Sequence, residues 1–499
     1  MIKKLFASVR EYKKDSILSP IFVTLEIIME VLIPFLMAKL IDYGIDKGNL
    51  HIVLKIGTFL IISTIFSLIF GALAGRFAAV ASSGFAKNLR HDMYYSVQNF
   101  SFSNIDKFST PSIVTRLTTD VTNVQNAFQM IIRVAVRSPV MLIFSLVMAF
   151  TVNPKVSLIF LVLIPFLGFS LFYIISKVHP VFKKVFQTYD KLNRIVQENV
   201  RAIRVVKSYV REDYEKEKFN NISENIYQNF TKAEKILALN SPLIQFSIYS
   251  CLLLISWFGA RLIVSHNMTT GELMSLIFYS TQILMSLMML SMVFVMITMA
   301  RSSAERISEL LDEKVDLQSH ENSVLEVKNG DISFKDVSFS YTKDKNKFSL
   351  SNINLYIKSG ETVGIIGGTG SSKTSLVQLI PRLYDATEGS VTVGEVDVKN
   401  YDLDTLRNQV AMVLQKNVLF SGTIRENLCW GNPNASDEEI FHMCKLAQAH
   451  DFIISFPKGY DTYLEQGGTN LSGGQKQRIC IARALLKNPK ILILDDSTS

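Results

Sequence analysis

Three short runs in the last third of the chain hold residue types that handle phosphate. The first is Gly367-Gly368-Thr369-Gly370-Ser371-Ser372-Lys373-Thr374. It follows an apolar, strand-like run from Thr362 to Ile366 and precedes a helix-like run from Ser375 to Leu383. Strand, glycine-rich loop and helix, in that order, are what a phosphate-binding loop requires. Glycines let backbone N–H groups turn toward phosphate oxygens, and the following helix start adds its positive dipole end. In that geometry Lys373 reaches the β- and γ-phosphates and the Thr374 hydroxyl helps to hold Mg²⁺. The second run is Leu471-Ser472-Gly473-Gly474-Gln475, and the third is Ile491-Leu492-Ile493-Leu494-Asp495-Asp496. The third reads as a buried strand of the parallel-sheet type ending in two carboxylates. A strand-end aspartate such as Asp495 positions Mg²⁺ against nucleotide phosphates.

Taken together and in this order, the three runs resemble the ATP-binding-cassette (ABC) family. The resemblance implies a cytoplasmic α/β P-loop NTPase domain over residues 321–499. It also gives roles to further positions. Residues Ile332 to Tyr341 alternate as an antiparallel strand would. A strand-end tyrosine is ordinarily packing, but Tyr341 stands where the family has an aromatic that stacks on adenine. Gln415, ending the apolar run from Val410 to Leu414, matches the glutamine that senses Mg²⁺ and the γ-phosphate. The Phe420–Asn427 stretch and Glu465-Gln466-Gly467-Gly468 resemble segments typical of exporters. The resemblance also makes Ser375 a nucleotide-binding position. It implies that Ser472, Gly473, Gly474 and Gln475 grip the γ-phosphate of ATP bound to an opposite cassette, so that the cassettes work in head-to-tail pairs.

Two positions depart from the family's pattern. Asp496 stands where a glutamate normally positions the attacking water, which draws the carboxylate back by one methylene. A misplacement of about 1 Å can cost roughly 10²-fold in rate. Ser372 replaces the glycine before the lysine and adds a side chain where the backbone approaches phosphate. The signature run Ser472–Gln475 departs nowhere. This asymmetry resembles the degenerate-site subunit of heterodimeric bacterial multidrug exporters. It implies slow turnover at the chain's own site and a partner subunit with a proper glutamate. None of the 7 histidines follows Asp496, and the sequence stops at Ser499. The family's switch histidine is therefore expected to be missing, through truncation or because this is a fragment, and competent hydrolysis is not expected of the stretch as it stands.

The phosphate-handling runs need a frame, and most of the chain is apolar. Of 499 residues 48% are hydrophobic, with 33 Phe and 17 Met, and the apolar excess lies before residue 301. The formal net charge of +8 is what basic cytoplasmic loops produce without a nucleic-acid role. Six stretches are long enough to cross a bilayer, which takes about 20 helical residues. They lie near Ile17–Leu40, Val53–Val80, Val134–Val152, Val156–Val178, Pro242–Val264 and Leu273–Met299. Two connections, Ala81 to Arg133 and His179 to Ser241, are long and rich in Lys and Arg. The positive-inside rule places them, both termini and the ATPase in the cytoplasm of a multi-pass plasma-membrane protein. The basic, amphipathic stretch from Met1 to Asp15 reads as an interfacial helix. The expected fold is a membrane all-α six-helix ABC exporter domain over residues 1–320, followed by the ATPase and joined through a polar linker from Asp312 to Leu325.

By resemblance, segments near Thr110–Leu117 and Asn199–Ser208 are coupling helices that touch the ATPase domains; solvated amphipathic helix is the plainer reading. Glu26 and Glu30 share one face of the first span. They read either as an acidic patch for cationic amphiphiles or as an interhelix contact. Met285, Met289, Met292, Met296 and Met299 form a stripe on the sixth span that suits either packing or a lining that accepts many shapes. Cys251, Cys429, Cys444 and Cys480 have no metal-ligand spacing and read as reduced structural thiols. The leading functional expectation is a subunit of an ATP-driven exporter of amphiphilic drugs or lipid-like compounds. It would use ATP and Mg²⁺, pair with a second half-transporter and bind no nucleic acid. A homodimeric lipid flippase and a non-transporting regulatory or sensor subunit are the alternatives.

Overall fold

The structure, a computed structural model, describes residues 2–319, 322–342, 344 and 347–495. It divides into two compact units, Met1–Tyr95 with Ile113–Asp312, and Ser96–Ser112 with Glu313–Ser499. The second unit therefore takes in a short stretch from the first long connection between spans.

The first unit is helical. Its N-terminal helix α1 (Ile2–Ala7) leads into α2 (Lys13–Leu40) and α3 (Leu50–Gln98). At 1.5 Å per residue, α3 runs roughly 70 Å, more than twice the ~30 Å hydrocarbon thickness. In the second unit come α4 (Phe102–Phe108) and the start of α5 (Thr110–Thr115). The first unit resumes with α6 (Val121–Val152), α7 (Pro154–Arg201), α8 (Ile203–Ser208), α9 (Glu212–Leu237), α10 (Asn240–Val264) and α11 (Thr270–Asp312). Among the described residues six helices are long and apolar enough to cross a membrane, and they contain the six expected spans. Asn153 caps α7 by accepting from the Val156 amide at 3.2 Å, and Pro154 fits the first turn, where no amide partner is needed.

The helices pack through a continuous apolar core. Val23, Ile27 and Val31 of α2 meet Met141 of α6 and Leu276, Tyr279 and Ile283 of α11. The buried Tyr279 hydroxyl donates to the Val31 carbonyl at 2.9 Å, so its polar tip is satisfied inside the core. The N-terminal segment folds back on α3. Asp92 accepts from Ser8 at 2.9 Å and from Arg10 at 2.6 Å, while Asn88 donates to the Ser8 carbonyl at 3.0 Å.

In the second unit β1 (Ile332–Phe339) lies between β2 (Leu350–Ile357) and β3 (Glu388–Val393), antiparallel to both. The hairpin partner β4 (Val396–Asp397) completes that sheet, while α12 (Lys373–Gln378) comes between β2 and β3 in sequence. Next come α13 (Leu403–Gln409), β5 (Val410–Val413), β6 (Gly422–Thr423), α14 (Ile424–Cys429), α15 (Asp437–Leu446) and α16 (His450–Ile454). The unit continues through β7 (Tyr463–Leu464), α17 (Gly473–Leu486) and β8 (Ile491–Leu494). β5 and β8 pair in parallel, and β6 with β7 antiparallel.

Two local expectations change. Thr362–Ile366 forms no strand, and Ile366 is 99% exposed, because no neighbouring strand pairs with it among the described residues. The helix expected from Ser375 to Leu383 instead begins at Lys373 and ends at Gln378. Pro381 disfavours helical geometry at the residue before it, and the chain turns there. β8 is parallel as expected but half-exposed, with Ile491 and Ile493 buried and Leu492 and Leu494 open.

Candidate functional site

The phosphate loop is built around two left-handed residues. Gly370 has φ +84°, which glycine adopts without penalty. Ser372 has φ 60° and ψ 27°, a conformation that costs a residue with a Cβ roughly 1–2 kcal/mol. Gly367 to Gly370 are exposed. Lys373 curls over the loop, its ammonium donating to the carbonyls of Gly367 at 2.7 Å and Gly368 at 3.0 Å. Thr369 and Ser371 complete the loop, and Thr374 is half-buried in the first turn of α12.

Tyr341 stands beside this loop. Its hydroxyl lies 2.8 Å from Ser375 Oγ, and the residue is 46% exposed. The ring is held edge-on by Phe339, with centroids 4.8 Å apart, and by Tyr384 at 5.2 Å and 87°. The Tyr384 hydroxyl in turn donates to Asp106 Oδ2 at 2.7 Å, and Phe102 packs on the Tyr384 ring at 6.0 Å. Burial, reinforced by the Asp106 carboxylate, pushes the Tyr384 phenol well above its ordinary range, so it stays a proton donor. α4 is fixed in place by the segment after α11. Asp316 accepts from Ser101 at 2.5 Å and from Ser103 at 2.7 Å, and Glu313 accepts from Asn104 at 3.0 Å and Lys107 at 2.7 Å.

On the parallel pair, Val413 of β5 stands opposite Leu494 of β8. The Asp495 amide donates to the Val413 carbonyl at 3.0 Å, so the register brings Asp495 and Gln415 to the same strand ends. Asp495 Oδ2 is buried and makes no hydrogen bond to the described residues. A buried carboxylate oxygen left in this way is costly unless a cation or donor meets it, which suits a Mg²⁺ ligand. Asp496 lies outside the described residues.

The signature run opens α17. Ser472 and Gln475 form a reciprocal capping box: Ser472 Oγ accepts from the Gln475 amide at 3.3 Å, and Gln475 Oε1 from the Ser472 amide at 2.9 Å. The hydrogen bonds of these two side chains close within the run, and Ser472, Gly473 and Gly474 are exposed. The structure thus joins Tyr341 to Ser375 and sets Gln415 and Asp495 just past the ends of two paired strands, but leaves the signature facing solvent.

In the membrane unit, Glu26 and Glu30 both pair with Arg137 of α6, at 2.7 and 2.5 Å. They make an interhelix contact. Met285, Met289 and Met292 are exposed and Met296 is half-buried, while the Met299 side chain lies outside the described residues. Sequence reasoning overlooked Arg137, Tyr384 and Asp106. An arginine in an apolar span signals a carboxylate partner, whereas nothing in the sequence ties Tyr384 to Asp106.

Comparison with known proteins agrees with this layout. Residues 16–314 match the ABC transporter transmembrane region, and residues 350–499 match the family described as ABC transporter. An uncharacterized ABC transporter ATP-binding protein of Bacillus subtilis, YfiB, is 38% identical over 498 residues, spanning 100% of this chain and 87% of the relative. A second from that bacterium, YknU, is 35% identical over 82% of this chain and 70% of the relative. An ATP-dependent lipid A-core flippase of Desulfotalea psychrophila is 34% identical over 83% of this chain and 72% of its own length. With six spans and an ATP-hydrolysing cassette on one polypeptide, the chain belongs to the ABC transporter family and is one of its half-transporters, multi-pass membrane proteins that work as dimers.

Proposed function

We propose that this half-transporter pairs with a different subunit and moves amphiphilic drugs or lipid-like compounds out across the plasma membrane. The observation that carries this reading is the contrast between its two nucleotide-handling surfaces. The loop side has Ser372 in a left-handed conformation and Asp496 in place of glutamate. The signature side is intact, capped and open to solvent. ATP on the loop side would be held at Gly367–Thr374, with Lys373 leaving the loop carbonyls for the phosphates and Tyr341 against the base. Thr374, Gln415 and Asp495 would hold Mg²⁺, which supplies charge neutralisation at the β- and γ-phosphates. Asp496 would orient water poorly, so this site binds ATP and turns it over slowly. Ser472, Gly473, Gly474 and Gln475 serve the partner's competent site. Segments around Thr110–Leu117 and Asn199–Ser208 would carry cassette motion to the spans, and the exposed Met285–Met292 face would meet cargo.

ATP turnover by the intact protein tests this, measured alone and with a half-transporter that has glutamate at the matching position, and with Asp496→Glu alongside. Negligible turnover alone, restored by the partner and raised by Asp496→Glu, is expected. Robust turnover by the lone chain favours a homodimeric lipid exporter instead. The identity to a lipid A-core flippase gives that second reading its support.

A further inference from the structure

Four side chains form an unbroken series from the phosphate loop to α4. Ser375, directly after Thr374, touches the Tyr341 hydroxyl at 2.8 Å. The Tyr341 ring meets Tyr384 edge-on at 5.2 Å, and Tyr384 donates to Asp106 at 2.7 Å. All four belong to one compact unit, yet Asp106 comes from the connection between two spans, 278 residues before Tyr384. Tyr384 touches the Tyr341 ring and Asp106 at once. Phe102, one helical turn before Asp106, packs on the same ring, and Phe339 supports Tyr341 and Tyr384 together.

We propose that Tyr384 is a positioning residue that fixes the Tyr341 ring for the nucleotide base and, through its hydrogen bond to Asp106, makes α4 respond to whether a base is bound. This rests on Tyr341 being the base-stacking residue. An edge-on neighbour sets the plane of an aromatic ring, and a base stacking on the Tyr341 ring is felt first by that neighbour. The hydroxyl of Tyr384 has one O–H, donated to Asp106, so a small rotation of the ring lengthens or shortens that bond. A ligand shifts an equilibrium only through contacts that differ between its states, and this bond is such a contact. A triphosphate would be met by Lys373 and the loop, whereas a base would be met by the Tyr341 ring that Tyr384 abuts. The response is therefore specific to the base.

The test uses the intact protein in lipid nanodiscs with two probes, ATP and inorganic tripolyphosphate. The variants are Tyr341→Ala, Tyr384→Phe, Asp106→Asn and the last two combined. Tyr384→Phe removes one oxygen and keeps the ring, and Asp106 is exposed, so water replaces the lost partner. α4 retains its bonds to Glu313 and Asp316 in either single variant. Tyr384→Phe and Asp106→Asn are each expected to weaken ATP by about fivefold, an ordinary site-to-site coupling. The combined variant should be no weaker than either alone, and tripolyphosphate binding should not change. Amide exchange of the 102–108 segment should slow on ATP addition in the parent but not in Tyr384→Phe. Parental ATP affinity and exchange response in Tyr384→Phe overturn the inference and leave the nucleotide site standing. Equal losses for both probes also overturn it, reducing Tyr384 to a structural role. ATP affinity indifferent to Tyr341→Ala removes the base-stacking assignment beneath it.

Discussion

Arg137 on α6 donates one guanidinium nitrogen to Glu26 and the other to Glu30 of α2, at 2.7 and 2.5 Å, so one cation bridges two carboxylates a helical turn apart. Glu26 also lies close against Gly71 of α3, where a Cβ would come within 3.0 Å of Oε1. Charges within a span are stable only when they meet each other or water. Truncating Arg137 leaves two partly buried carboxylates without their cation. Arg137→Ala should destabilise the membrane unit by about 1–3 kcal/mol, less than the cost of breaking a fully buried pair because all three side chains are part exposed. Replacing all three residues, Glu26→Gln, Glu30→Gln and Arg137→Met, should restore most of the loss in thermal unfolding in detergent. If the triple variant melts as low as Arg137→Ala, the bridge is not what Arg137 contributes. Because Arg137 offsets the acidic face, Glu26→Gln with Glu30→Gln should lower stability more than it lowers transport of cationic dyes.

Ser372 carries a Cβ at φ 60°, between the left-handed Gly370 and the α12 helix. Glycine there relieves roughly 1–2 kcal/mol of left-handed strain and gives back about 0.5–1 kcal/mol in unfolded-chain entropy. Ser372→Gly should therefore raise the stability of the ATPase unit by about 0.5–1 kcal/mol, seen as an upward shift in its melting transition. A downward shift would show that the Ser372 side chain has a stabilising role the backbone argument omits.

The local parts of this fold are written in local sequence, and the rest is not. The alternation from Ile332 to Tyr341 reads as a strand because side-chain period alone specifies it, and β1 forms over Ile332–Phe339, ending two residues sooner. The six spans follow from length and hydropathy. Ser472 and Gln475 sit three apart, so the capping box is legible from residue type and spacing alone. Thr362–Ile366 is largely apolar too, but a strand is a relation between two segments, and among the described residues β8 finds a partner and Thr362–Ile366 does not. Tyr384 and Asp106 lie in separate regions of the sequence, and their contact exists only because α4 packs in the second unit. Arg137 lies between these cases: its charge announces a need for a carboxylate without saying which one.

The thiols separate by burial. Cys444 and Cys480 are buried in the core of the ATPase unit, and burial pushes both up, Cys444 to about 11. Since the thiolate is the nucleophile, both should resist alkylation at neutral pH. Cys429, half-buried at the end of α14, is the accessible one of the three. Iodoacetamide followed by peptide mapping should label Cys429 well before the other two in the folded protein, and all three at similar rates in denaturant. Early labelling of Cys444 would contradict the packing of α15 against α17.

Gly84 of α3 offers a test of how the N-terminal segment is held. A Cβ at this position would overlap the ring of Tyr12, so the backbone of α3 and that ring meet in direct contact. In a free helix, alanine is better than glycine by about 1 kcal/mol. Here the contact reverses the sign. Gly84→Ala should displace Tyr12 and loosen the bonds of Ser8 and Arg10 to Asp92, and the N-terminal segment should become more open to proteolysis. The same substitution in a Tyr12→Ala background has no ring to strike, so it should recover the helix-propensity gain and stabilise the protein relative to Tyr12→Ala alone. That reversal separates steric contact from a general effect on α3. A Gly84→Ala change that has the same effect in both backgrounds would show that Tyr12 is not what requires glycine there.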